Sequence, residues 1–333
     1  MTKNIKLGKV AQHNHLTTML IKRLHPGLFG ISLGLISLSG TWHKFTAMNL
    51  ISDLGIESFL FTAGVLVLLT LTALFIAKLT IDFEGFMKIF HHPAQGPMLA
   101  IMPVATSLAI ALFIPGHPEY LTMAYGVMAI NLLLQLATAW QMVEMLSSGK
   151  LPSEFITPAL YIPVVPGGLV GGIALNAIGL PGFGYMLWGM GVGAWALLEM
   201  RILGHLFKGP LPAVLRPTIG IEMAPGAVST LTAITLWPNL PVDAVLIGLG
   251  FACGPILAVL TRWKSWTDVP FSFGFWSFSF PVAAIASCII EAVTRGHWPP
   301  AAAWLALILA NLIIGFLIIR TFLLLLQGKL LPK

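Results

Sequence analysis

The chain has 333 residues, of which 57% are hydrophobic and only 9% are charged, and its mean hydropathy is +0.90. Because a soluble globular protein carries about a quarter charged residues, this composition excludes that class and predicts an all-α polytopic membrane protein. The net charge of +6 does not indicate a nucleic-acid partner, since the basic residues lie in short loops between apolar runs. The two cysteines, Cys253 and Cys288, lack metal or redox spacing, and we expect neither a metal nor another cofactor.

Ten apolar segments long enough to cross a bilayer follow one another along the chain. We expect a single transmembrane domain over residues 25–328, preceded by a basic cytoplasmic segment (1–24) and followed by a cytoplasmic tail (329–333). The predicted spans are residues 26–45, 58–80, 97–114, 120–146, 155–179, 185–207, 212–237, 242–262, 271–293 and 301–326.

The distribution of basic residues predicts the orientation of these spans. With ten spans, both termini lie on the same side of the membrane. Sixteen of the 18 lysines and arginines fall on that side, and only Lys44 and Arg295 fall on the other. Since short cytoplasmic loops carry the excess of positive charge, we expect both termini to be cytoplasmic.

Proline is concentrated in the odd-numbered spans, whereas among the even-numbered spans only the eighth contains one. Four of these prolines recur about every 60 residues, which is the length of one pair of spans. Backbone groups that proline leaves without a partner cannot face lipid. We therefore predict five helical hairpins around a central pore, with the odd-numbered helices inside. The four prolines are Pro103, Pro163, Pro225 and Pro281.

Small residues on the odd-numbered spans are candidates to line this pore. Gly27, Gly30 and Gly34 form one stripe on the first span. A glycine stripe is also typical of close packing between membrane helices, and the sequence leaves both interpretations open. Further pore-lining positions are expected in the third and fifth spans, at Pro103, Thr106, Pro163 and Gly167.

The ninth span combines a row of small residues with large rings. Phe273, Ser277, Phe280 and Ala284 share one helical face. Pro281 removes a backbone hydrogen bond beside Phe280 and predicts a kink there. A large ring at a kink on this face could close a pathway, although ordinary aromatic packing would produce the same pattern.

The seventh span carries a carboxylate, Glu222, at membrane depth. It shares a face with Thr218, Pro225 and Ser229, which are also pore-lining candidates. Charged residues inside a membrane are costly and usually functional. Glu222 could be protonated, paired or involved in coupling protons to anions. Alternatively, it reaches the cytoplasmic vestibule or bonds neighbouring backbone.

Four of the odd-numbered spans contain distinctive motifs, which are HPGLFGISLGL, LAIMPVATSL, PTIGIEMAPGAVS and GFWSFSFPVAA. Together these motifs resemble those of the tellurite-resistance/dicarboxylate transporter family, which includes the bacterial TehA proteins and the plant slow anion channels. The resemblance extends from about residue 25 to the C-terminus, and the length of the chain is most similar to that of bacterial TehA.

This resemblance implies a homotrimer in the bacterial inner membrane, with a ten-helix pore in each protomer. It implies that Phe280 is the gate and that Gly27 and Gly30 leave room opposite its ring. The implied cargo is a small inorganic anion or a malate-like dicarboxylate that passes down its gradient, and bacterial members are named for tellurite resistance.

The sequence leaves several functions to distinguish. No arginine or lysine lies inside a predicted span away from its ends. A passive anion channel would then select by dehydration cost, with chloride, nitrate, tellurite or a dicarboxylate as candidate cargo. The alternative is a proton-coupled C4-dicarboxylate transporter or an efflux carrier that uses Glu222. We find no residue constellation that indicates an enzyme.

Overall fold

The computed structural model describes residues 18–149 and 151–331. Most of the predicted N-terminal segment, residue 150 and the last two residues lie outside this part of the chain. Within it the secondary structure is helical, without strands. Ten longer α-helices are connected by turns, short helices and 3₁₀ segments. They are α1 Phe29–Thr46, α2 Ile56–Ile81, α3 Ile101–Phe113, α4 Leu121–Ser147, α5 Val165–Ala177, α6 Pro181–Leu206, α7 Ala224–Leu236, α8 Val242–Thr261, α9 Ser279–Gly296 and α10 Pro300–Leu326.

Nine helical segments among the described residues are long and apolar enough to cross a membrane, and they correspond to α2 through α10. The exception is α1, whose glycines and serines and whose His43 and Lys44 lower its hydropathy. Most of its residues are nevertheless buried, so the packing of α1 does not depend on a strongly apolar composition.

Burial alternates along the chain. In the segments that contain α3, α5, α7 and α9, between 61% and 94% of the residues in the apolar window are buried. In α2, α4, α6, α8 and α10 the corresponding share is between 17% and 33%. The odd-numbered helices are therefore covered by the rest of the protein. The even-numbered helices leave long apolar side chains on the surface, as expected of helices that face lipid.

The odd-numbered helices contact one another in a closed ring. Helix α1 packs against α3, α3 against α5, α5 against α7, α7 against α9, and α9 returns to α1. Each even-numbered helix also contacts the odd-numbered helix that precedes it. The ring has two ends, which we call the basic face (Lys78, Arg216 and Arg262) and the opposite face (Lys44, Glu57 and Glu291).

On the basic-face side, a separate short helical segment precedes every odd-numbered α-helix. The segment and the α-helix are not one continuous helix. A 3₁₀ segment precedes α1, α5, α7 and α9, and a short α-helical turn precedes α3. A proline then occupies the first turn of α3, α5, α7 and α9, where its missing N–H needs no partner. These prolines are Pro103, Pro166, Pro225 and Pro281. The kink predicted at Pro281 therefore corresponds to the start of a helix.

Polar side chains of α4 and α6 bond carbonyl oxygens of the inner helices. Asn131 donates from Nδ2 to the carbonyl of Pro103 at 2.9 Å, and Gln135 donates from Nε2 to the carbonyl of Pro163. Trp188 donates from Nε1 to the carbonyl of Ser229 at 3.1 Å. In a bilayer such bonds replace the water that would otherwise solvate a carbonyl. They join the outer helices to the broken inner ones.

Candidate functional site

Phe280 lies between two cavities that are lined by residues of the inner helices. It is the second residue of α9, immediately before Pro281, and only 8% of its surface is exposed. Its side chain contributes to the lining of both cavities. The small cavity has a volume of about 150 Å³ and the large cavity about 660 Å³. Phe280 is therefore a shared wall between a space on the basic-face side and a space on the opposite side.

The small cavity lies between Phe280 and the basic face. Many of the residues that the sequence predicts to form the pore or the gate line this cavity. Its lining includes Gly27, Gly30, Thr218, Phe273, Ser277, Phe280 and Pro281.

The glycines of the first span allow the 3₁₀ segment Phe273–Phe278 to approach α1 closely. A Cβ at Gly27 would lie 3.0 Å from Cδ2 of Phe273, and a Cβ at Gly30 would lie 3.0 Å from Cβ of Trp276. Both distances are shorter than ordinary carbon–carbon contact. Gly27 and Gly30 thus combine the two roles that the sequence left open, since they line the cavity and permit close packing.

The large cavity extends from Phe280 to the opposite face and is more polar at its mouth. Ala284 lines it, as the helical spacing predicts, and Ser287 follows on the same face of α9. Lys44 and Glu57 line the outer part.

The side chains at this mouth form one ion-paired group and one hydrogen-bonded pair. Glu291 accepts from Lys44 Nζ at 2.5 Å and from Arg295 Nε at 3.0 Å, so one carboxylate is shared by two cations. His43 Nδ1 lies 2.9 Å from Glu57 Oε1. The Lys44 group therefore carries one net positive charge, and the carboxylate of Glu57 in the same lining offsets it. The sequence shows Lys44 only as an orientation signal, and the fold places it in the cavity lining.

His25 borders the small cavity near the basic face. Its Nδ1 accepts the backbone N–H of Gly27 at 3.0 Å, and its ring centroid lies 4.3 Å from that of Phe273. Burial, with a smaller contribution from repulsion by His92, lowers the pKa of His25 to about 4. Because a ring nitrogen that accepts a hydrogen bond carries no proton, the geometry and the lowered pKa both describe a neutral imidazole.

Glu222 lies away from both cavities and faces Tyr161 on the neighbouring 3₁₀ segment. The Tyr161 hydroxyl lies 2.5 Å from Oε2 of Glu199 and 3.3 Å from Oε1 of Glu222. Glu199 also accepts from Trp195 Nε1 at 2.8 Å. One hydroxyl has one proton to donate, and the distances favour Glu199. Oε2 of Glu222 is buried without a hydrogen-bond partner among the described residues.

Several other pore-lining candidates contribute to neither cavity and make packing contacts instead. Gly34 faces Ser279, and Gly167 leaves space for Gln135. The carbonyls of Pro103, Pro163 and Ser229 accept the side-chain bonds described above, and the Thr106 hydroxyl donates to the carbonyl of Met102 at 3.0 Å. The candidates outside both linings are Gly34, Pro103, Thr106, Pro163, Gly167, Glu222, Pro225 and Ser229.

Comparison with known proteins agrees with the resemblance seen in the sequence. The family model described as SLAC1, voltage-dependent anion channel, matches residues 23–325. The chain is also 28% identical over 330 residues to a protein of Haemophilus influenzae named "Tellurite resistance protein TehA homolog". That alignment covers 96% of this chain and 97% of the relative.

Proposed function

We propose, from the premise that this chain belongs to the SLAC1 voltage-dependent anion channel family, that it conducts small anions passively through the axis of its helix ring. Members of such a family move ions rather than catalyse a reaction. The observation that carries the proposal is the position of Phe280, which is the one predicted gate or pore residue in the linings of both cavities. Phe280 contributes to the lining of both cavities, and in our proposal its ring is the gate.

The proposed topology is ten spans arranged as five hairpins, with both termini in the cytoplasm of a bacterium and the chain in the inner membrane. The closed ring of odd-numbered helices supports the hairpin arrangement. The excess of lysine and arginine on the basic face supports the orientation. The homotrimer, with one pore in each protomer, rests on family resemblance.

The proposed selectivity depends mainly on dehydration. Among the described residues, Lys44 is the one lysine or arginine in the linings of the two cavities. Apart from Glu57 and three histidines, the other lining groups are backbone, hydroxyls and apolar side chains. A pore of this kind favours weakly hydrated anions, so we expect nitrate to pass more readily than chloride. A site that binds a dicarboxylate would be stabilised by a cation for each carboxylate, and in the described part of the chain the linings of the two cavities do not provide such a pair of lysines or arginines. Tellurite remains a candidate cargo because the Haemophilus influenzae relative is named for tellurite resistance.

The alternative function is proton-coupled dicarboxylate transport, or efflux, that uses Glu222. Its support is the buried Oε2 of Glu222, which has no partner among the described residues. Against it stands the position of Glu222 outside both cavity linings. We therefore place anion conduction first.

The test is Phe280→Ala in proteoliposomes, with efflux of nitrate, chloride, malate and tellurite measured separately. Removing the ring should raise anion efflux about tenfold, which corresponds to a barrier lowered by about 1.4 kcal/mol. Phe322→Ala is the matched control, because Phe322 lies on the exposed side of α10 and lines neither cavity. A folded Phe280→Ala protein with wild-type efflux would contradict the gate.

A further inference from the structure

A basic cavity of about 530 Å³ opens at the basic face, away from the helix-ring axis. It lies between the C-terminal end of α6, the segment Arg216–Met223 and the turn that follows α8. Three cations, Arg216, Arg262 and Lys264, line it together with one carboxylate, Asp268. The lining therefore carries two excess positive charges.

These cations are available to a ligand. The ion pairs in the described part of the chain involve none of the three. Nε of Arg216 donates to the carbonyl of Leu211 at 3.0 Å, which orients the guanidinium. Its terminal nitrogens have no hydrogen-bond partner among the described residues and can donate to a ligand. Guanidinium groups bind phosphate oxygens through paired N–H donors. The cavity thus has the chemistry of a phosphate site.

An apolar groove of about 540 Å³ adjoins the basic cavity, and Trp266 lines both. The indole Nε1 of Trp266 donates to the carbonyl of Val259 at 3.0 Å, which fixes the ring between the two spaces. At the far side of the groove, the guanidinium of Arg320 lies 5.3 Å from the ring centroid of Phe271. The remaining walls are mostly apolar and include Leu260, Phe275, Phe278, Val282, Leu312 and Phe316.

Exposed aromatic residues indicate the depth of the basic cavity in the bilayer. Trp263 is 54% exposed beside the cavity, and Phe207 is 76% exposed at the end of α6. Tryptophan at the end of a membrane helix is typical of the headgroup region. The cavity therefore lies at headgroup depth, and the groove continues toward the hydrocarbon between α8, α9 and α10.

We propose that the basic cavity and the apolar groove together bind one anionic phospholipid. The phosphate contacts Arg216, Arg262 and Lys264, and an acyl chain passes Trp266 into the groove. Charge selects the occupant, because basic pockets between membrane helices recognise anionic headgroups. A zwitterionic lipid has the same acyl chains but no net negative charge, so we expect it to bind more weakly.

Bound lipid would contact the rear of the element that carries Phe280. Phe278 and Val282, on either side of Phe280 and Pro281, line the groove. The Ser277 hydroxyl donates to the carbonyl of Pro217 at 2.5 Å, which ties this element to the one that carries Arg216. The lipid would therefore brace two elements whose other sides line the small cavity. Its binding can be tested without assuming any transport function.

The experiment compares the purified protein in nanodiscs of phosphatidylcholine alone with nanodiscs that also contain phosphatidylglycerol. Melting temperature and lipid retained in native mass spectrometry are the two readouts. We expect phosphatidylglycerol to raise the melting temperature and to remain bound. The double variant Arg262→Gln with Lys264→Gln should weaken its affinity about 30-fold, equivalent to about 2 kcal/mol.

Matched controls test the charge and the groove separately. Arg201→Gln with Lys88→Gln removes the same two charge types from exposed positions outside the cavity and should retain the lipid. Phe316→Ser should weaken retention, whereas Phe322→Ser, on the same helix but outside the groove, should not.

Three results would overturn the proposal. The first is equal stabilisation by the two nanodisc compositions, which needs no variant and decides the question even if a variant fails to fold. The second is full stabilisation by inorganic phosphate in phosphatidylcholine nanodiscs, which would identify a free-anion site. The third is wild-type retention of phosphatidylglycerol by the folded Arg262→Gln, Lys264→Gln protein.

Discussion

Gly34 of α1 faces Ser279 of α9 so closely that no Cβ fits between them. Ser279 immediately precedes Phe280, and its hydroxyl donates to the carbonyl of Trp276 at 2.7 Å. Gly34, the third glycine of the first-span stripe, therefore determines how closely α9 approaches α1 beside the Phe280 side chain. Its function is contact between two inner helices, since it lines neither cavity.

Gly34→Ala should destabilise the protein by about 1–3 kcal/mol, because the added methyl group overlaps Cβ and Oγ of Ser279. The measurement is the melting temperature in detergent. Gly189→Ala is the matched control, since a Cβ at Gly189 in α6 would meet nothing within 4 Å. Adding Ser279→Gly to Gly34→Ala should restore part of the lost stability. A wild-type melting temperature for Gly34→Ala would contradict the close approach.

Lys44→Gln should lower anion efflux about fivefold at low salt, since one charge at the mouth contributes about 1 kcal/mol of attraction. The effect should shrink as salt screens the charge. Efflux from proteoliposomes at two salt concentrations is the measurement. Arg295→Gln is the matched control, because it removes a charge from the same Glu291 pair but lies outside the cavity lining. Equal effects of both variants would argue against a local role for Lys44.

The lowered pKa of His25 predicts a loss of stability in mild acid. The folded-state pKa is about 4 and the ordinary value is 6.5. Below pH 6.5 the unfolded chain therefore binds a proton that the folded protein does not, and stability falls as the pH drops from 6.5 toward 4. His25→Gln should flatten this dependence, whereas His117→Gln, at an exposed position, should retain it. Melting temperatures at neutral pH and at about pH 5 provide the check, and an unchanged slope for His25→Gln would refute the assignment.

Glu222→Gln should leave anion efflux and its pH dependence unchanged if the pathway follows the two cavities, because Glu222 lines neither. The amide can still accept from the Tyr161 hydroxyl, so the fold should be retained. Glu199→Gln is the companion variant, since Glu199 shares that hydroxyl. A loss of pH-dependent malate uptake in Glu222→Gln alone would instead support proton-coupled transport and displace the channel proposal.

Much of the architecture was predictable from the sequence because a bilayer imposes simple rules on it. Hydropathy identifies apolar segments, and proline cannot leave backbone groups exposed to lipid. The concentration of proline in the odd-numbered spans therefore predicted that these helices would be covered by the rest of the protein. The sequence also identified Phe280 as a candidate gate, because a large aromatic residue on a helical face of small residues can be recognised from the sequence alone.

Tertiary structure decided which neighbour each side chain meets. Helical spacing placed Thr218 and Glu222 on one face, yet Thr218 lines the small cavity and Glu222 faces Tyr161. The difference arises because the segment Arg216–Met223 is a 3₁₀ helix. With 3.0 residues per turn in place of 3.6, the two side chains diverge around the axis.

Composition, motifs and the distribution of proline were sufficient to predict the membrane class, the family and the covered helices. The fold was needed to show that Pro166 lies in the first turn of α5 and that Gln135 donates to the carbonyl of Pro163. Only the fold brought Lys44 into the lining of the large cavity. The physical reason is that a periodic pattern defines one face of a helix, whereas the rotation and depth of that helix depend on packing against its neighbours.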